Sequence, residues 1–211
     1  MSLWRTPAAR CDHCSDQGHT LYGLRCHDFL AIIDGAEMKA LSDIRAPSFA
    51  HLDRYCECAE VARSRLLLRT FGDETPAGER VAAELGRALQ LTNILRDLAR
   101  DAKRQRLFLP RELLHAHGIF ATMPSWVLAQ PALPNVCRDL ARRAEGHYTV
   151  ATKTIAAYPR SAMRPAAVIL GTHRALLDEL LTRGWRQLDQ PVRIPFLREL
   201  ALVVRYGLTG H

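Results

Sequence analysis

Four polar residues sharing one face of a helix constrain this chain more than anything else in it. In the stretch Leu85–Pro110, LGRALQLTNILRDLARDAKRQRLFLP, Gln90, Asn93, Asp97 and Asp101 recur at spacings of three, four and four. A helix turns about 100° per residue, so a step of four drifts by only about 40°. Asn93, Asp97 and Asp101 therefore line one stripe, with Gln90 a turn earlier on the same side. Carboxylates stacked in this way repel, so the helix gains no stability from setting Asp97 under Asp101. A divalent cation reverses that sign, because hard Mg²⁺ prefers carboxylate oxygens and bridges them to phosphates. A bare DxxxD would read first as a solvated acidic stripe. Here Leu85, Leu89, Ile94, Leu95 and Leu98 give the helix an opposite, apolar face, and Lys103, Arg104 and Arg106 follow the aspartates, ahead of Phe108 and Pro110. Carboxylates for a metal with cations close behind suit a diphosphate, whose charge both neutralise.

The rest of the chain reads as helices joined by short proline- or glycine-marked connections, with no credible strands: an all-α fold. Residues 1–21 have no helical period and form a loose leader, and 22–211 make one helical domain. Asp43 to Pro47 is a loop, and Ser48 is the N-cap of a helix running to Arg69. The central helix spans about Glu79 to Lys103, after the turn-rich GDETPAG, and a short helix from Arg111 to His117 ends at Gly118. Residues 119–132 are a proline-punctuated loop or short helix around Trp126. Asn135 to Ala157 carries Val136, Leu140, Ala144, Tyr148, Ala151 and Ile155 on one side. Ser161 to Arg183 follows, with Pro165 in its first turns and Gly184 as its stop, and Ile194 to Tyr206 is a final short helix.

The net charge of +7 admits nucleic acid, an anionic membrane surface or anionic substrates as partners. The basic residues are spread through helices without a compact cationic tail or interleaved aromatics, which argues against nucleic acid. The six cysteines form no evenly spaced framework and no secretory signal opens the chain, so reduced thiols in the cytoplasm are the plain reading. Cys11 and Cys14 have CxxC spacing, with His13, His19, Cys26 and His27 nearby, but no second pair returns at zinc-finger spacing. That cluster and the Asp12/Asp16 pair are set aside as coincidence.

Leu85, Gly86, Gln90, Asn93, Ile94, Arg96, Asp97, Asp101, Arg106, Phe108 and Pro110 fall in register with the second aspartate-rich motif of the squalene/phytoene synthases, which the chain resembles. The resemblance extends to YGLRCHDFLAIIDGAEMK, to Tyr55, Cys56, Arg69, Phe71 and Gly72, and to the C-terminal stretches AEGHYTVA, YPRSAMRPAAVILGTHRALLDELLTRGW, PVRIP and RYG, which are closest to the hopanoid-associated branch. It implies an isoprenoid-synthase-type helical bundle. The chain also departs from the pattern. Ala36 and Lys39 replace a Met and an Asp, and Glu60 and Arg63 stand at small or apolar positions, where they either pair on the surface or bring charge to a lipid cavity. His173 stands in place of a tyrosine and reads as a core or cavity-lining residue, with Arg193 and Arg186 left as the cations of that neighbourhood. No room is left before Tyr22 for the family's first aspartate-rich helix, so the bundle is expected to lack its N-terminal helices.

What the resemblance implies is a Mg²⁺-dependent prenyltransferase (Mn²⁺ as a substitute) joining two farnesyl diphosphates head to head into presqualene diphosphate. Asn93, Asp97 and Asp101 would hold the metal. Gln90, Arg96 and Arg106 would bind the diphosphate, and Tyr55 and Arg96 would serve the chemistry, Tyr55 by orienting the diphosphate or relaying a proton. No dinucleotide-binding glycine motif is visible, so NADPH is not expected. The lipophilic product admits peripheral membrane contact. The alternative is a synthase-like helical protein without turnover, or one whose site is completed by a partner chain supplying the first aspartate-rich helix.

Overall fold

Residues 22–209, except 42, 159 and 189, are described by a computed structural model. Its helices are α1 (Cys26–Leu41), α2 (Phe49–Cys56), a π-helical turn (Glu57–Val61), α3 (Ala62–Thr70), α4 (Pro76–Lys103), α5 (Arg111–Ala116), α6 (Pro124–Leu128), α7 (Leu133–Ala156), α8 (Arg160–Arg183) and α9 (Phe196–Thr209). Among the described residues there is no strand, only an isolated bridge between Arg45 and Leu107. None of these helices is long and apolar enough to cross a membrane. The expected leader, with the cysteine–histidine cluster as far as His19, lies outside the described residues.

Helix α4 is the hub, packing on α3, the π turn, α7 and α8. It starts three residues before the Glu79 expected from sequence. Thr75 is its N-cap, accepting from the Gly78 N–H at 3.1 Å, and Pro76 sits where a helix needs no N–H. Leu85, Leu89, Ile94, Leu95 and Leu98 are all buried, as their spacing requires. Against them α7 sets Val136, Leu140, Ala144, Tyr148, Ala151 and Ile155, every one also buried. The Tyr148 hydroxyl lies 3.0 Å from Thr92 Oγ1, which itself donates to the Ala88 carbonyl at 2.8 Å. Tyr148 is thus the donor of the pair, and a fully buried hydroxyl is satisfied. Trp185, just beyond α8, donates its indole N–H to the Leu95 carbonyl at 3.2 Å. Helices α5 and α8 are followed by Gly118 and Gly184, each with φ +72°.

Ser48 caps α2 by accepting from the His51 N–H at 3.3 Å. The helix expected to run from there to Arg69 does so only with an interruption, the π turn at Glu57–Val61. Two glycines explain why that turn sits so deep. A Cβ on Gly86 of α4 would lie 2.5 Å from the Val61 Cα, and one on Gly35 of α1 would lie 3.0 Å from the Cys58 carbonyl carbon. Both neighbouring helices therefore press backbone to backbone against the π turn and wedge it between them.

Charge ties the same three elements together. Arg69 is only 3% exposed; it donates to the Gly23 carbonyl at 3.1 Å and pairs with Glu79. Arg65 reaches Glu79 at 3.0 Å, Glu57, and Asp28 at 3.6 Å. The Asp28 carboxylate is fully buried and accepts no hydrogen bond, and burial pushes its pKa upward.

Candidate active site

The polar stripe of α4 forms one wall of a cavity of about 450 Å³. Helix α1 supplies Lys39 to it, α2 and the π turn supply Tyr55 and Glu60, and the turn after α4 supplies Arg106 and Phe108. Gln90, Asn93, Arg96, Asp97, Asp101, Arg106 and Tyr55, named from sequence, all line this one space. Glu60 and Arg63 line it too, paired at 2.8 Å, so the two alternatives posed for them merge: an ion pair that is also cavity wall. Arg104 of the basic run also lines it, and sequence reasoning missed two further cations there, Lys39 and Arg100. Arg100 carried a signal, three residues after Asp97 on the same helix face. Lys103 of the basic run is exposed and does not line the cavity.

The turn that delivers Arg104 and Arg106 is a Schellman-type stop. The Arg106 N–H donates to the Asp101 carbonyl and the Gln105 N–H to the Ala102 carbonyl, both at 2.9 Å. Between the two arginines Gln105 takes the left-handed conformation, φ +57°, a position usually given to glycine. Gln105→Gly is expected to stabilise the fold by about 1 kcal/mol, read as a small rise in thermal midpoint. An unchanged or lower midpoint would mean that the Gln105 side chain compensates the strain.

Asp101 is 5% exposed, and burial raises its pKa; Lys39 exerts the strongest opposing charge effect, ahead of Arg100 and Arg106. Asp101 Oδ1 and Asn93 Oδ1 are buried acceptor oxygens without a hydrogen-bond partner. The two orphaned oxygens lie about two turns apart on one helical stripe, each an oxygen donor of the kind a hard cation takes. Asp97 is differently placed. Its Oδ1 accepts from Arg96 Nε and its Oδ2 from Arg96 Nη2, both at 2.9 Å, and Arg100 also donates to Oδ2. Among the described residues no three His, Cys, Asp or Glu side chains converge as a ready metal cluster. Asn93 and Asp101 keep oxygens free for a cation, whereas Asp97, the carboxylate between them on the stripe, is engaged by its arginines.

Tyr55 is buried and stacks on Phe108 at 4.9 Å between ring centroids. Burial, and then the Asp101 charge, push its phenol up to about 12, so at neutral pH it is a hydrogen-bond donor rather than a base. A second cavity of about 410 Å³ shares Tyr55 and Phe108 with the first and is walled by Met38, Ile44, Pro47 and Leu52. A third, of about 340 Å³, shares Arg96 and brings in His173, Arg193 and Glu199, whereas Arg186 is exposed and lines none of the three. The His173 Nδ1–H donates to the Ile169 carbonyl at 3.1 Å, and burial lowers its pKa, so the ring is neutral and turns a bare Nε2 outward from that bond.

Known proteins resemble this chain over most of its length. The squalene/phytoene synthase family model matches residues 8–198. A presqualene diphosphate synthase of Sinorhizobium fredii is 44% identical over 189 residues, 90% of this chain and 68% of that protein. One of Rhodopseudomonas palustris is 42% identical over 187 residues, 89% of this chain and 67% of that protein. The chain thus spans about two thirds of the length of these relatives. A crystal structure of a dehydrosqualene synthase in complex with ligand superposes with a TM-score of 0.75 over 90% of this chain and 67% of that one, at 23% identity, a likeness of fold. With the motif of α4, the helical architecture and these relatives in agreement, the chain belongs to the squalene/phytoene synthase family.

Proposed function

We propose that this chain condenses two farnesyl diphosphates head to head into presqualene diphosphate, releasing one diphosphate. The observation that carries this reading is the single cavity in which orphaned acceptor oxygens, Asn93 Oδ1 and Asp101 Oδ1, face a surplus of cations. Relatives with the printed activity of presqualene diphosphate synthase support it.

In this mechanism the C1–O bond of one farnesyl diphosphate breaks, and its electron pair leaves with the diphosphate. The double bond of the second molecule attacks the allylic carbon, and loss of a proton closes the cyclopropane ring. Mg²⁺, when held by Asn93, Asp101 and a released Asp97, supplies charge neutralisation that makes diphosphate a better leaving group. Arg96 and Arg106 donate charge-assisted hydrogen bonds to the diphosphate oxygens, with Gln90 beside them. Arg96 and Arg100 have a choice of anion: the Asp97 carboxylate in the free protein, the diphosphate once it enters. Tyr55, a phenol throughout, donates to the diphosphate and orients it; the departing diphosphate is the base at hand for the proton.

The test is product analysis. Purified protein with farnesyl diphosphate and Mg²⁺ should give presqualene diphosphate by mass spectrometry, one inorganic diphosphate per product, and no dependence on NADPH. Farnesol alone, or unchanged substrate under conditions where the protein is helical by circular dichroism, would contradict condensation by this chain. The second outcome would favour a binding protein or a site completed by another chain.

A further inference from the structure

The cavity holds more positive charge than the residues of the family motif supply. Lys39, Arg63, Arg96, Arg100, Arg104 and Arg106 face Glu60, Asp97 and Asp101, six cations against three carboxylates. Half of those cations are already engaged: Arg63 by Glu60, and Arg96 and Arg100 by Asp97. Among the described residues, no carboxylate stands within ion-pairing distance of Lys39, Arg104 or Arg106. These three come from separate places, the last turn of α1 and the two sides of the strained Gln105 turn, yet they line the same cavity. Lys39 is held there with its ammonium 5.9 Å from the centroid of the Phe108 ring.

A charge surplus of this kind in a concave site has a cost to the folded chain, because like charges repel without a compensating anion. Lys39 brings its positive charge into the cavity that Asp101 also lines.

We propose that Lys39, Arg104 and Arg106 form a metal-independent subsite that binds a diphosphate group directly. This deepens the prenyl-diphosphate reading of the same cavity and rests on it for the identity of the physiological ligand. Its prediction is separate, since the subsite binds inorganic pyrophosphate when every divalent cation is removed.

Isothermal titration of pyrophosphate into the full chain, in buffer containing EDTA, tests this. Wild type is expected to bind with one site per chain. Lys39→Met should weaken binding by about tenfold, and Lys39→Asp by more, because it replaces an attraction with a repulsion. Arg104→Met should weaken it similarly, and circular dichroism should show both variants folded, since neither Lys39 nor Arg104 is buried. No pyrophosphate binding by wild type in EDTA, or binding that Lys39→Met and Arg104→Met leave intact, would overturn the subsite. Binding in EDTA through Lys39 by a chain that releases no diphosphate from farnesyl diphosphate would keep the subsite and reject the proposed condensation. Metal-dependent turnover with no pyrophosphate binding in EDTA would do the reverse.

Discussion

Substituting Asp101 by asparagine is expected to lower Mg²⁺-dependent release of diphosphate from farnesyl diphosphate by at least about a hundredfold. Asp101 is the buried carboxylate of the α4 stripe, and its Oδ1 is unsatisfied in the protein itself. Asparagine keeps the shape and one acceptor oxygen but removes the charge. The same substitution should leave the thermal midpoint at neutral pH unchanged or slightly raised, which separates loss of chemistry from loss of fold. The sign follows from the pKa. Burial raises that of Asp101 in the folded state, so the native protein holds this proton more tightly than the unfolded chain does. The stabilising contribution of protonated Asp101 is full at acid pH and is lost as pH rises through the folded pKa. Wild type should therefore gain on Asp101→Asn as pH falls into the carboxylate range. A variant that melts well below wild type at neutral pH would show that Asp101 holds the fold together rather than a ligand.

Gly86→Ala is expected to be the most damaging single-methyl change in the core. Its new Cβ would sit 2.5 Å from the Val61 Cα and 2.7 Å from the Val61 nitrogen, backbone atoms that cannot turn aside. Overpacking of this kind costs about 3 kcal/mol, and better helix propensity returns about 1 kcal/mol. The net loss of about 2 kcal/mol should lower the thermal midpoint by about 6 °C. Activity should fall as well, because moving the π turn moves Ala59 and Glu60 on the cavity wall. Gly146 in the middle of α7 is the control: a Cβ there meets nothing within 4 Å, so Gly146→Ala should stabilise by about 0.5–1 kcal/mol. Equal effects at the two glycines would mean that the close approach of α4 to the π turn is not what holds Gly86 in place.

Much of this was legible from residue spacing. The stripe Gln90, Asn93, Asp97 and Asp101 and the opposing leucines follow from helical periodicity, which survives folding because α4 is long and packed along its length. The α7 face was equally plain. Capping chemistry placed Ser48 correctly, but the α4 start was set too late because Thr75–Pro76 looks like a turn when it is an N-cap with proline at the first helical position. The π turn carried no local signal at all. It exists because Gly35 and Gly86, distant in sequence from it and from each other, let two helices close on it. The cavity shows the same division. Residues of α4 could be assigned to one wall, whereas the arrival of Lys39 opposite Asp101, and the capture of Asp97 by Arg96 and Arg100, depend on how helices meet and which rotamers that leaves.

The central claim is that the α4 cavity turns over a prenyl diphosphate through its own aspartates. Release of inorganic diphosphate from farnesyl diphosphate, followed with and without Mg²⁺ for wild type and the Asp97→Ala, Asp101→Ala double variant, addresses it most directly. The account predicts release that requires both the metal and the two carboxylates. Release that persists in the double variant, or its absence in folded wild-type protein at saturating Mg²⁺, would contradict it.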